Sequence, residues 1–379
     1  MRGICSVAEL KGLDTSEAIR RFLGVLLESG AVNAVLVPKR SPDNNMVAQA
    51  LVADLERLAG ADPLAPVQMI NAAHAVRELA KEPLERSGGR IAAVLRPCEV
   101  RAVIELVKLK QILPDSLYLI GYDCPGVYDV KRYRDRVQAT GDAEEVRTEV
   151  LERFAGAGHA ADAEAELRGA CGLCTRFTAD SADLSLSWIG AGDHSLLLDV
   201  LSEKGEQLLQ ALKGVDLEEV GEAPERVERI EAARASRLEA QDEQQMDLLS
   251  QLQPCIRCYN CREVCPICYC KECLLVPAKM GYSSERYLRR AEKKGQIKMP
   301  VDTVLYHLTK MNHMACSCVA CGLCEQACPM DIPLGRIYSR VGGHVQALFD
   351  YVPGRSLEEE LPVTTFKEEE LPQVEDIKR

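Results

Sequence analysis

Two stretches of the chain carry the same cysteine motif, CIRCYNCREVCP at residues 255–266 and CVACGLCEQACP at residues 318–329. In each copy, the first three cysteines are spaced by two residues. A fourth cysteine follows after three further residues and directly precedes a proline. Three thiolates on a tight loop can bind one face of a [4Fe-4S] cluster, while the fourth points to a neighbouring cluster. The proline ends the helical turn and helps to direct that fourth thiolate.

The motif spacing is that of bacterial ferredoxins with two clusters, in which the fourth cysteine crosses to the other cluster. One cluster is therefore predicted to use Cys255, Cys258, Cys261 and Cys328. The other is predicted to use Cys318, Cys321, Cys324 and Cys265. Structural zinc is the alternative, but zinc knuckles do not require the fourth cysteine with its proline in both copies. We expect this region to pass single electrons.

Four further cysteines adjoin the two motifs, namely Cys268, Cys270, Cys273 and Cys316. Because exposed thiols at this density invite oxidation, a fourth cluster on these residues is one interpretation. The alternatives are that some are buried small apolar residues, or that one of them replaces an assigned ligand. Between the motifs lies a long insert with two predicted helical stretches split by Pro300.

The N-terminal part of the chain alternates strand and helix patterns. The apolar runs AVNAVLVP (31–38), IAAVL (91–95) and LYLIGY (117–122) are typical of buried strands. A helix is predicted between the cap at Asp14 and Gly30, and another over residues 99–111. Strands separated by helices predict an α/β fold with a parallel sheet.

Two cysteines directly follow predicted strands of this sheet. Cys98 and Cys124 are therefore expected at its carboxyl edge, where open α/β sheets bind ligands. Cys171 and Cys174 form a C-x-x-C pair beyond the sheet. If that loop folds back, the four thiolates are enough for a third [4Fe-4S] cluster. The alternatives are a catalytic dithiol at Cys171 and Cys174, or a buried and inert Cys98.

Composition limits the possible functions. The 379 residues suffice for two to three domains, and the 17 cysteines fall in clusters, which favours metal sites in a reducing cytoplasm over disulfides. A net charge of −12 and an aromatic content of 4% argue against a nucleic-acid partner. No apolar run approaches the ~18 residues of a membrane span, and no export signal is visible. We therefore expect a cytoplasmic protein.

Several segments, in this order, resemble the beta subunits of the coenzyme-reducing hydrogenases and formate dehydrogenases of methanogens. The N-terminal segments are EAIRRFLGVLLESGAVNAVLVPKR, VLRPCEVRAVIELVKLKQ, YLIGYDCPGVY and CGLCTRFTADSADLSLSWIG. The C-terminal segments CIRCYNCREVCPICYCKEC and SCVACGLCEQACPMDIPLGRI resemble the formate dehydrogenase subunit more than the hydrogenase one. The resemblance covers residues 20–350.

The resemblance implies an iron–sulfur flavoprotein that works with an 8-hydroxy-5-deazaflavin coenzyme. It implies FAD in the N-terminal domain, a ferredoxin relay, and a nearby cluster held by Cys98, Cys124, Cys171 and Cys174. Lys39 and Arg40, at a predicted strand end, are the candidate partners of the FAD phosphates.

The predicted domain organisation follows from these patterns. Residues 1–200 are expected to form the flavin-binding, iron–sulfur α/β domain, and residues 201–250 a helical connector. Residues 251–350 are expected to form the two-cluster ferredoxin-like domain with its helical insert, followed by an acidic tail at 351–379.

Two functions remain open from the sequence. The first is an electron-transfer subunit that moves electrons between FAD or a soluble carrier and a partner oxidoreductase through [4Fe-4S] clusters. Its partner would be a catalytic formate dehydrogenase subunit with a molybdenum or tungsten pterin, because this chain has no pterin domain and is not expected to oxidise formate alone. The second is a non-catalytic adaptor that carries electrons between larger enzymes, for example in a heterodisulfide-reductase-like complex.

Overall fold

The computed structural model describes residues 4–42, 46–83, 89–155, 167–192, 195–212, 215–221, 223–239, 247–271, 273, 275, 283–296 and 301–366. The chain divides into two compact units. Unit 1 comprises Met1–Glu243 and Gly354–Glu359, and unit 2 comprises Gln244–Pro353 and Glu360–Arg379. The boundary at residue 243 falls inside the predicted connector.

Unit 1 is built on a mixed sheet. Its strands are β1 (Ile4–Val7), β2 (Ala34–Arg40), β3 (Val47–Val52), β4 (Ile91–Leu95), β5 (Leu117–Tyr122), β6 (Leu184–Ser187), β7 (Leu197–Val200) and β8 (Leu217–Val220). Within the described residues they pair in the order β3-β2-β4-β5-β6-β7-β1-β8. The central strands β2, β4, β5 and β6 are parallel to one another, whereas β3, β7, β1 and β8 pair antiparallel with their neighbours.

The predicted parallel sheet is thus confirmed for its four central strands and is wrong for the strands that flank them. Residues 41–46 join β2 to β3, and residues 188–196 join β6 to β7. A parallel crossover needs a dozen or more residues, so these short connections force the antiparallel pairing of β3 with β2 and of β7 with β6.

The helices of unit 1 cover the sheet. Besides a short 3-10 turn, they are α1 (Thr15–Glu28), α2 (Leu55–Leu58), α3 (Ala73–Leu79), α4 (Pro97–Lys108), α5 (Val130–Thr140), α6 (Ala143–Ala155), α7 (Gly169–Gly172), α8 (Glu203–Gln210) and α9 (Pro224–Glu239). The Asp14 carboxylate accepts hydrogen bonds from the first backbone N–H groups of α1, and Gly30 follows the helix with a φ of 69°. Both predicted helix ends are therefore confirmed.

A buried ion pair holds α9 to the sheet. The Arg226 guanidinium donates to both carboxylate oxygens of Asp123, at 2.6 and 3.1 Å, and also to the Ser187 hydroxyl. Asp123, which directly follows β5, is 0% exposed and accepts further bonds from the backbone N–H groups of Trp188 and Ile189. The polar segment predicted as a connector thus includes strand β8 and a helix that is anchored in unit 1.

Unit 2 is helical where the structure describes it. Its helices are α10 (Leu248–Leu252), α11 (Asn260–Glu263), α12 (Ser284–Lys294), α13 (Val301–Met314), α14 (Leu323–Gln326) and α15 (Leu334–Leu348). Helices α12 and α13 confirm the two helical stretches of the insert, while Pro300 and residues 367–379 of the predicted tail lie outside the described residues. No helix in the described ranges has both the length and the apolar character of a membrane span.

The ion pair between Arg226 and Asp123 yields a stability prediction. Arg226→Met leaves the buried Asp123 carboxylate without its cation, which should reduce the free energy of unfolding by about 3–5 kcal/mol. Anaerobic urea unfolding, followed by the fluorescence of Trp188, measures this loss. The matched control is Arg229→Met on the same helix, because Arg229 pairs with Glu225 at the surface and should contribute less than about 1 kcal/mol. Equal unfolding midpoints for the two variants would contradict the anchoring role.

Candidate metal centres

The two cysteine motifs of unit 2 adopt the same backbone conformation. The third residue of each motif, Arg257 or Ala320, and the fifth, Tyr259 or Gly322, all have φ between 55° and 72°. In both copies a short helix then begins at the sixth residue, α11 in the first motif and α14 in the second. Left-handed residues are costly unless the fold requires them, so their recurrence shows that the two copies are one structural unit used twice.

One cavity of unit 2 is surrounded by the first three cysteines of the first motif and the last cysteine of the second. About 320 Å³ of its space is free of protein atoms. Its four thiols belong to Cys255, Cys258, Cys261 and Cys328. The rest of its lining is mainly apolar or aromatic, including Ile256, Pro329, Met330, Ile332 and Tyr306.

A second cavity repeats this arrangement with the motifs exchanged. It has about 390 Å³ free of protein atoms, and its thiols belong to Cys318, Cys321, Cys324 and Cys265. The crossed pairing that the spacing predicts is therefore the pairing that the two cavities show. Cluster binding at these thiols stays a prediction, although the mainly apolar linings suit it because they limit access of water.

A cavity lined by four thiols fits a cluster of several irons better than a single zinc ion, which holds each thiolate at about 2.3 Å. Among the described residues, no three His, Cys, Asp or Glu side chains converge on the site of a single metal ion. All seventeen cysteines are described, and none of them forms a disulfide.

Helix α13 of the insert directs three buried polar side chains at cysteine sulfurs, two of them in the first motif and the third just after it. The Tyr306 hydroxyl lies 3.3 Å from the Cys261 Sγ, and the His307 Nε2 lies 3.3 Å from the Cys255 Sγ. The Lys310 Nζ donates a hydrogen bond of 3.1 Å to a neighbouring sulfur. Such contacts to sulfur are among the factors that set the reduction potential of an iron–sulfur cluster.

Sequence reasoning missed this layer. The available signal was the spacing, since Lys310 follows His307 by three residues and Tyr306 by four, and residues at these spacings are neighbours on a helix surface. Burial, with a smaller contribution from the nearby Lys310, lowers the pKa of His307 to about 4. The imidazole is therefore neutral, with Nδ1 positioned 2.7 Å from the Tyr338 hydroxyl.

In unit 1, Cys98 and Cys124 lie at the carboxyl edge of the sheet, Cys171 and Cys174 lie close to Cys124, and Arg96 lies close to Cys98 and Cys124. Cys98 lies in the first turn of α4 after β4, and Cys124 follows β5. Burial raises the pKa of Cys124 to about 12, Arg96 opposes the rise, and the nearby thiols of Cys171 and Cys174 add to it. Arg96 also lies close enough to act electrostatically on Cys98. The loop that carries the C-x-x-C pair therefore folds back, as the third cluster requires.

Arg237 of α9 holds these loops together. Its guanidinium donates to the carbonyl oxygens of Cys174 at 2.8 Å and Pro125 at 3.2 Å. It also stacks on the rings of Phe177 and Phe154, with distances of 5.0 and 5.3 Å to their centroids. Sequence reasoning missed this residue because it lies in a polar stretch that is typical of a solvated helix.

The four extra cysteines have different neighbours. Cys268 accepts the hydrogen bond from Lys310, whereas Arg262 donates to the carbonyl oxygen of Cys270 and to the thiol of Cys273. Cys270 is exposed and the remaining one, Cys316, is buried. A fourth cluster on these residues stays a prediction.

The two candidate FAD-phosphate residues lie at the end of β2. Arg40 forms an ion pair of 2.6 Å with Asp62, which also accepts a hydrogen bond of 3.2 Å from Arg147. Lys39 pairs in register with Ala48 of β3. These contacts neither identify a phosphate site nor exclude one, so FAD binding at Lys39 and Arg40 stays a prediction.

Comparisons with known proteins confirm the resemblance. Residues 88–225 match the family model for the C terminus of the coenzyme F420 hydrogenase/dehydrogenase beta subunit, and residues 251–332 match the model of a 4Fe-4S dicluster domain. The chain is 26% identical over 302 residues to the F420-dependent formate dehydrogenase subunit beta of Methanocaldococcus jannaschii. The aligned region covers 70% of this chain and 74% of that protein.

Two further proteins are similar. The F420-dependent formate dehydrogenase 1 subunit beta of Methanococcus maripaludis is 27% identical over 372 residues, covering 89% of this chain and 90% of that protein. A chain of the F420-reducing [NiFe] hydrogenase complex from Methanosarcina barkeri superposes with a TM-score of 0.46 at 12% identity, over 63% of this chain and 90% of that chain.

Iron analysis tests the cysteine assignments of unit 1. Cys98→Ala and Cys174→Ala should each lose about four irons per chain, because one [4Fe-4S] cluster needs both thiolates. Anaerobic iron and sulfide determination measures the loss. Cys5→Ala is the control and should keep the full iron content, because its buried thiol donates to the Leu198 carbonyl oxygen of the sheet. Normal iron content in both unit 1 variants would rule out the third cluster.

The same analysis decides the fourth cluster. A wild-type content of roughly 16 irons per chain corresponds to four clusters and roughly 12 to three. A content near 12 that Cys270→Ser leaves unchanged would rule out a cluster on the four extra cysteines.

Proposed function

We propose that this chain is the electron-transfer subunit of an F420-dependent formate dehydrogenase. Residues 88–225 match the family model for the C terminus of the coenzyme F420 hydrogenase/dehydrogenase beta subunit, which supports this proposal. Relatives of the chain carry the name of the beta subunit of that enzyme. The match of residues 251–332 to a 4Fe-4S dicluster domain supports the role of an iron–sulfur subunit of an oxidoreductase.

The observation that supports this proposal most strongly is the pair of crossed cavities in unit 2. Each takes three thiols from one motif and one from the other, so the two sites are tied to each other at short range. A bound [4Fe-4S] cluster exchanges one electron at a time. The thiolates would hold the clusters, the mainly apolar lining would limit access of water, and the exchanged cysteines make the two sites neighbours.

The proposal includes a third cluster, in unit 1, on Cys98, Cys124, Cys171 and Cys174. What supports it is the proximity of these thiols, two of them at the carboxyl edge, with the buried Arg96 beside those two. A cation among thiolates offsets part of their mutual repulsion, which stabilises the set in its ligating form.

FAD in unit 1 belongs to the proposal through the sequence resemblance. A flavin takes up electrons in pairs and releases them singly, which matches a soluble two-electron carrier to iron–sulfur clusters. We infer that this carrier is a deazaflavin coenzyme, as the names of the relatives indicate. The formate-oxidising partner is then a separate subunit with a molybdenum or tungsten pterin.

Electron transfer in Cys324 variants tests the function. Reduced deazaflavin coenzyme should reduce the flavin of Cys324→Ser at the wild-type rate, because unit 1 is intact. Passage of electrons on to an artificial one-electron acceptor should fall strongly, since one cluster of unit 2 is damaged. Anaerobic stopped-flow spectroscopy measures both steps, and Cys5→Ala should leave both unchanged.

Two outcomes would contradict this function. Wild-type rates for both steps in Cys324→Ser would show that unit 2 is not the electron path. A purified chain without flavin that neither a deazaflavin coenzyme nor NAD(P)H reduces would favour the adaptor role in a heterodisulfide-reductase-like complex.

A further inference from the structure

Helix α13 places one cation between the two thiol-lined cavities. The Lys310 side chain is 1% exposed, and its Nζ lies 3.1 Å from the Cys268 Sγ and 5.4 Å from the centroid of the Tyr338 ring. In the part of the chain that the structure describes, no carboxylate forms an ion pair with it. A buried charge is costly unless it is compensated, and the sulfurs around Lys310 can supply that compensation.

The position of Lys310 on α13 relates it to both cavities. Tyr306 and His307, on the preceding turn, line the cavity of the first motif. Met314, on the following turn, and Tyr338 line the cavity that contains Cys265. Burial disfavours the charge of Lys310, but the neighbouring Cys265 and Cys268 thiols raise its pKa above the ordinary value.

Cys268 connects Lys310 to the second cavity. Its thiol accepts the hydrogen bond from Lys310 and is itself hydrogen-bonded to the thiol of Cys265. Its backbone N–H also donates to the Cys265 carbonyl oxygen at 3.1 Å. A chain of contacts therefore leads from the Lys310 ammonium through Cys268 to the thiol that crosses into the second cavity.

The first cavity is contacted by a hydroxyl and an imidazole. Its sulfurs lie 3.3 Å from the Tyr306 hydroxyl and 3.3 Å from the His307 Nε2, and the Lys310 charge acts there on Cys261 without a hydrogen bond. The two motifs share one backbone conformation, so the difference between the cavities arises from α13 and not from the motifs.

We propose that Lys310, acting through Cys268, is a positioning residue that makes the cluster at Cys265, Cys318, Cys321 and Cys324 the more easily reduced of the pair. The inference rests on the proposed function only in that both cavities hold [4Fe-4S] clusters. Reduction adds negative charge, and a nearby cation in a low-dielectric site stabilises that charge more than the dipole of a hydroxyl group does. Electrons then collect at the Cys265 side of unit 2, and Cys268 serves as a hydrogen-bond link and not as a ligand.

Potentiometric titration of the full chain, followed by EPR, tests this proposal. The cluster at Cys265 is identified as the one whose signal disappears in Cys324→Ser, and its twin as the one lost in Cys258→Ser. In the wild type, the midpoint potential of the Cys265 cluster should be the higher of the two. Lys310→Met should shift its reduction equilibrium at least tenfold toward the oxidised form, which is about 59 mV for one electron.

Matched variants separate the charge from the shape of the side chain. Lys310→Arg keeps the cation and should retain most of the wild-type midpoint. Cys268→Ala should lower the same midpoint by a smaller amount without loss of iron. Lys293→Met, which removes an exposed cation from α12, should change neither midpoint.

Two results would overturn the proposal. Unchanged midpoints in Lys310→Met at full iron content would leave Lys310 a purely structural residue while the proposed function stands. Loss of about four irons in Cys268→Ala would make Cys268 a cluster ligand. A wild-type chain that binds no iron would contradict the proposed function as well, so the two failures are distinguishable.

Discussion

The fourth cysteine of each motif lies in the cavity of the other motif, and this exchange is the constraint on which unit 2 depends. Neither motif can complete its own set of four thiols, so the two must fold against each other for either site to exist. The long insert between Cys265 and Cys318 is tolerated because both of its ends are fixed by this exchange. Helix α13 lies within this insert. It supplies the polar side chains that make two otherwise equivalent sites different.

In unit 1, the four cysteines assigned to the third cluster come from distant parts of the sequence. Two of them follow parallel strands and need only the sheet register, whereas the C-x-x-C pair depends on a loop. Buried arginines secure that arrangement: Arg226 ties α9 to the Asp123 carboxylate after β5, and Arg237 bonds the backbone of both cysteine loops. One polar helix thus supports the edge at which the third cluster is proposed.

Much of this could be predicted from the sequence, for identifiable reasons. The motif spacing predicts the crossed thiols because few backbone conformations can present cysteines at that spacing, and the apolar runs predict β2, β4 and β5 because strands buried on both faces have little polar content. The edge strand β8 escaped prediction because its residues, LEEV, are mainly polar and exposed. Arg226, Arg237 and Lys310 escaped because each is stabilised by partners far away in the sequence, and a charged residue in a polar helix is usually solvated.

The central claim is that unit 2 holds two [4Fe-4S] clusters at short range, joined by exchanged cysteines. EPR spectroscopy of the anaerobic, fully reduced chain, combined with metal analysis of the same sample, tests this most directly. We predict iron without zinc, together with a broadened signal that shows magnetic coupling between two neighbouring reduced clusters, and we predict that Cys328→Ser removes the coupling. Zinc in place of iron, or only isolated, uncoupled cluster signals in the wild type, would contradict the account.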